Sequence, residues 1–220
     1  MKLSAKHWGS GLMVVSVIVA LLGSTMAFAR NSNPGVLPPQ SHPYGLTYSE
    51  WSAQWWQDAV QVATLGGCPM ASAGPTDQVL FLAGTTGGSE TRSCTVPSGK
   101  AILFPIINAE CSTIEGNGTT EEQLLACAKG LIDQVTVVQA DVDGVSLQNL
   151  TAYRVQSPLF TFTAVSGNPF GIPAGQSPSV SDGYWIMLTP LSTGTHTLHF
   201  HGEAPSLNFT TDTTYNLTVG

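Results

Sequence analysis

Apolar side chains along this chain follow two periods, and each period predicts its own kind of element. Trp51, Trp55, Ala59 and Val62 recur at the spacing of one helix face, and Trp56, Val60 and Ala63 widen it. Thr47-x-x-Glu50 ahead of them is a capping-box pattern, and Gly66-Gly67 closes the stretch, so a helix is predicted over 47–65. A second, shorter helix is predicted from Thr120 to Lys129, opened by Thr119-x-x-Glu122 and capped by Gly130.

The rest of the pattern reads as strand. Val79–Ala83 and Ala101–Ile107 are short apolar runs suited to buried strands, with Pro105 marking an edge or a bulge. Val135–Val142 and Val145–Leu150 flank Asp143-Gly144, a strong hairpin signal. Ala152–Val155, Leu159–Thr163, Tyr184–Leu188, His196–His201 and Tyr215–Val219 complete the set. Short strands separated by Gly, Pro, Ser and Thr predict a mainly β fold, an antiparallel β-sandwich of jelly-roll type. The N-terminal helix would lie over an open face or edge of it, and the second helix would be short and tied by a disulfide. No internal repeat is present. The predicted organisation is a signal peptide over 1–29, a Pro-rich arm over 30–46 and a single β domain over 47–220 that includes helix 47–65.

The first thirty residues change the picture most. Lys2 and Lys6 precede the apolar run Gly11–Leu22, and Ala27-Phe28-Ala29 follows as an A-x-A site. A basic start, a short apolar middle and a small-residue end are the parts of a secretory signal peptide, and a run of about a dozen residues is short of the ~20 that span a bilayer. Cleavage is expected after Ala29, giving a secreted or periplasmic protein with no stable membrane span. In an oxidising compartment the four cysteines read as two disulfides, and Cys68–Cys94 with Cys111–Cys127 gives the most compact loops.

Composition then removes whole classes of function. Only 10% of the 220 residues are charged, and the net charge is −7. Loss of Lys2 and Lys6 would leave five basic against fourteen acidic side chains, a net of −9. So few cations cannot neutralise a phosphate backbone, which excludes nucleic acid as a partner. G-x-S-x-G, H-E-x-x-H, P-loop and G-x-G-x-x-G patterns are all absent.

Three groups of residues could carry chemistry. His199 and His201 fall on one face of a strand, about 6–7 Å apart at ~3.3 Å per residue, while Leu198 and Phe200 take the core face. With Asp182 or Glu203 as a third ligand, such a pair could hold Zn or Cu. The alternative is a pair of surface histidines on a Thr-rich strand. H-x-H followed by an acid is similar to a cupin metal strand, although the acid lies two residues past His201 and no second histidine motif follows. No other cofactor is expected. Trp51, Trp56 and Trp185 are the candidate ligand-binding residues, since flat indole faces stack on sugar rings. At helical spacing the same stripe also serves as core. Among the acids, Glu110 follows a mostly apolar run and is the candidate for burial with a special pKa, as an acid or base in glycoside hydrolysis.

Two longer segments, CTVPSGKAILFPIINAEC from Cys94 to Cys111 and SDGYWIMLTPLSTGTHTLHFHG from Ser181 to Gly202, resemble a group of uncharacterised secreted bacterial proteins. That resemblance implies export and brings no activity, ligand or site residue with it. The reading that follows is a secreted, non-catalytic β protein that binds an envelope or extracellular ligand, a glycan or a protein. The alternative is a metal-binding protein or metal-dependent enzyme using His199 and His201.

Overall fold

A computed structural model describes residues 33, 35–68, 70–73 and 77–220, so the expected signal peptide and its cleavage point lie outside the described residues. Asn31–Gly220 forms one compact unit. It is mainly β, with two α-helices, α1 (Tyr48–Ala59) and α2 (Glu121–Ile132).

The first sheet contains β1 (Ala71–Ala73), β2 (Val79–Phe81), β4 (Ala101–Ser112), β7 (Arg154–Gln156), β8 (Phe160–Ala164) and β9 (Gly175–Leu188). Its spatial order is β1-β2-β4-β9-β7, with β8 also paired to β9. The second sheet contains β3 (Gly88–Val96), β5 (Val137–Val142), β6 (Val145–Ser146), β10 (Gly194–Ala204) and β11 (Phe209–Val219), in the order β3-β11-β10-β5-β6. Each sheet holds one parallel pair, β2 with β4 and β3 with β11. The wholly antiparallel jelly roll expected from the strand pattern is therefore corrected to two mixed sheets. The cause is topological: β3 leaves for the second sheet between β2 and β4, so β4 returns beside β2 in the same direction.

Alternation along β4 and β9 assigns the two faces of the first sheet. Phe104, opposite Ile186, stacks on Phe200 of β10 with ring centroids 4.9 Å apart, so that face meets the second sheet. Pro105 lies opposite Trp185, which meets Trp55 of α1 edge-on at 5.4 Å, so the other face carries the helix. Pro105 does mark a bulge, between Pro105 and Ile107, but β4 is a central strand and not an edge. The sheets approach closely at Gly202, where a Cβ would stand 2.7 Å from the Ile107 Cβ.

α1 begins as its capping box requires. Glu50 N donates to Thr47 Oγ1 at 3.2 Å and Thr47 N donates to Glu50 Oε2 at 2.7 Å. It stops at Ala59 rather than near residue 65, and the Val60 carbonyl accepts Val165 N at 3.0 Å from a neighbouring loop. α2 uses Thr120 and Gln123 for its capping box and runs through Gly130 to Ile132. The Pro-rich arm is not a free linker: Val36 is buried and bridges to Leu188, and Leu37 N donates to Met187 O at 2.9 Å.

Both disulfides form as paired above, Cys68 with Cys94 and Cys111 with Cys127. The second joins β4 to α2 and packs with Leu124, Ala128 and Val180 as a small separate core. Closing a loop of 16 residues stabilises the fold by roughly 3 kcal/mol in the loop-entropy account.

Candidate functional site

Of the three candidate tryptophans, α1 and β9 bury two outright. Trp51 and Trp185 are 0% exposed, and the Trp51 indole N–H donates to Pro43 O at 2.8 Å. Neither presents a face to a ligand: helical spacing turns Trp51 onto the sheet, and Trp185 lies on β9 beneath the Trp55 ring of α1. Trp56 is 4% exposed but lines a cleft of about 260 Å³ at the end of α1.

That cleft has two walls. On one side Trp55 and Trp56 lie edge-on at 5.3 Å, and Phe170 leans on Trp56 with ring centroids 4.7 Å apart. Phe170 is held there by Asn168, whose buried amide organises the loop around it. Its Nδ2 donates to Val165 O at 2.8 Å and to Ile172 O at 2.7 Å, and its Oδ1 accepts from Phe170 N and Ile172 N at 3.2 Å. On the other side stand Gly84, Thr85, Thr86, Phe209 and Thr211. Thr85 Oγ1 meets Thr211 Oγ1 at 3.1 Å, and Thr85 N donates to the same Thr211 oxygen at 3.3 Å. Buried Arg92 fixes the chain entering this wall, donating to Ala83 O at 2.6 Å and Gly84 O at 3.3 Å. The floor is Pro105–Asn108 of β4.

Two features set what this cleft can do. Among the described residues, no side chain lining it is titratable. Its polar lining is mainly the hydroxyl side chains of Thr85, Thr86 and Thr211, while the Trp56 Nε1–H and the Asn108 Nδ2 amide, which have no hydrogen-bond partner, are enclosed by protein and not open to the cleft. Trp56 and its neighbour Trp55 belong to the aromatic stripe read from sequence; Asn108, Phe170 and Thr211 were not candidates, because β4, the 165–172 loop and β11 come together only in the fold.

His199 and His201 lie side by side on the outer face of the second sheet. His199 Nδ1 meets Asp141 Oδ2 at 2.9 Å and its Nε2 meets Asp212 Oδ1 at 3.3 Å. His201 Nε2 meets Glu203 Oε1 at 2.9 Å, and its Nδ1 lies 3.2 Å from Asp212 Oδ2. The proposed third ligand Asp182 does not join them. It lies in the first sheet, 3% exposed, with both carboxylate oxygens on Arg154 at 2.9 Å. The reason is that β9 and β10 belong to different sheets and form no hairpin. Among the described residues, no group of three or more His, Cys, Asp or Glu is arranged to hold a metal ion. His196, on the core side, pairs instead with Asp143 at 2.8 Å, and that hydrogen bond raises its pKa.

Glu110 is half-buried, with its Oε1 enclosed and without a hydrogen-bond partner. Desolvation, and then Glu115 beside it, pushes its pKa up to about 9, while its Oε2 accepts from the Ser179 hydroxyl. It does not line the cleft, so it cannot serve as acid or base there.

No family model matches the sequence, and no curated protein matches it. Among solved structures, a cysteine protease inhibitor from Entamoeba histolytica is similar at 13% identity with a TM-score of 0.26, over 64% of this chain and 96% of its own. Amebosin is similar at 14% identity with a TM-score of 0.20, over 60% of this chain and 96% of its own. Likeness at those TM-scores assigns neither a fold nor a function to this chain.

Proposed function

We propose that this chain is a secreted or periplasmic binding protein without catalytic activity, and that its aromatic cleft takes an uncharged, ring-bearing ligand such as a glycan. The observation that carries the reading is the combination of aromatic walls, threonine hydroxyl side chains and a lining that, among the described residues, holds no titratable group. Small-molecule sites are concave and mostly apolar, with a few placed polar groups that fix orientation. Ring faces on Trp56 and Phe170 suit the apolar face of a sugar, and the hydroxyl side chains of Thr85, Thr86 and Thr211 suit its oxygens. An ionised ligand would be buried here without a counter-charge, which is costly.

Export accords with two disulfides, which persist in oxidising compartments. No helix among the described residues is long and apolar enough to cross a membrane. The test is a screen of neutral and charged glycans against the wild type and Phe170→Ala. Phe170 is half-buried and packs on the edge of the core, so a thermal melt of the variant accompanies the screen and confirms that it is folded. Binding of neutral glycans that falls at least tenfold in the variant supports the reading; equal binding by both proteins overturns it.

A further inference from the structure

We infer that the ligand is an uncharged amphiphile, with its ring-bearing head in the aromatic cleft and an apolar chain in a second cavity beside it. This rests on the binding reading above and names the class of ligand. The second cavity, about 280 Å³, lies between the C-terminal end of α2 and the connection from β10 to β11. Leu131, Ile132, Val135, Ala204 and Leu207 form its walls, and Asn108 is the one polar side chain that lines it.

The two cavities share Ile107, Asn108 and Phe209. They therefore flank one short stretch of β4, with the half-buried Phe209 ring beside it. β4 is open on this side: its pairing with β2 ends at Leu103, and among the described residues no strand pairs with it beyond that point there.

Chemistry separates the two ends. The aromatic cleft supplies threonine hydroxyls, whereas the second cavity can satisfy almost no polar group and so suits hydrocarbon. Leu207 stands 45% exposed at its rim, an apolar surface that an alkyl chain would cover favourably. Neither cavity has a charged side chain to pair with an ionic head, so anionic and cationic amphiphiles are disfavoured.

The test uses calorimetry on the disulfide-bonded mature chain with three probes: octyl glucoside below its micellar concentration, methyl glucoside with the same head and no chain, and octanoate with the same chain length and an anionic head. Octyl glucoside should bind at least tenfold more tightly than either of the others. Leu207→Asp, at an exposed position, should remove the advantage of the chain and leave methyl glucoside binding unchanged. Equal affinity for octyl and methyl glucoside overturns the amphiphile inference while leaving the binding reading intact, and so does an unaltered preference in Leu207→Asp. Tight octanoate binding overturns the requirement for a neutral head. No binding of any probe overturns both.

Discussion

Asn108 faces Gly183 directly across the β4–β9 ladder, so closely that a Cβ at position 183 would stand 2.5 Å from the Asn108 Cβ and 2.8 Å from its Cα. Asn108 reaches the floor of the cleft because the opposing strand offers no side chain there. Gly183→Ala is expected to destabilise the chain by about 1–3 kcal/mol, the usual cost of overpacking, and to displace the Asn108 amide. Chemical denaturation measures the first effect. Unchanged stability would show that the ladder has room the structure does not give it.

Glu110 predicts a pH dependence of definite sign. With its pKa pushed up to about 9 by burial and by Glu115, the folded chain keeps a proton that the unfolded chain releases above its ordinary value of 4.5. Between those two values the folded state binds more protons than the unfolded state. Its contribution to stability is complete below pH 4.5 and is lost as pH rises toward 9, at up to about 1.4 kcal/mol per pH unit. Glu110→Gln keeps a donor in place without the titration, so its stability should vary less across this range. Parallel stability–pH curves for variant and wild type would contradict the assignment.

Asn168 should matter beyond its own side chain. Four hydrogen bonds link it to Val165, Phe170 and Ile172, and it is itself buried. At about 1 kcal/mol for each net hydrogen bond, Asn168→Ala is expected to cost about 2–4 kcal/mol. It should also speed hydrogen exchange at the Phe170 and Ile172 amides. Exchange that stays slow at both would mean that the loop is held by something else.

These cases show which parts of the fold could be read in the sequence. α1 was legible because its caps and its apolar face are local, and the Asp143-Gly144 hairpin because a turn carries its own chemistry. The cysteine pairing was legible because compact loops favour it. β3 was invisible: its first four residues are exposed, and the first inward position is Arg92, held by carbonyls and the Tyr215 hydroxyl rather than by apolar contact. The first half of β9 was hidden in the same way, since Ser177, Ser179, Ser181 and Asp182 are buried through hydrogen bonds and an ion pair. Asp141 and Asp212 could be matched to the histidines only through the register of β5, β10 and β11. The cleft was beyond reach for a related reason, because five distant segments contribute to it.

The central claim is that ligand packs beside Trp56 in the aromatic cleft, which would shift the indole signal of that residue. In a proton–nitrogen NMR spectrum each tryptophan gives a separate indole signal. Trp51 and Trp55 donate to Pro43 O and Leu82 O, whereas Trp56 has no acceptor. Titration with a neutral glycan that binds should move the Trp56 signal strongly and leave the Trp51 signal where it is. Binding that leaves the Trp56 signal unmoved would contradict the account.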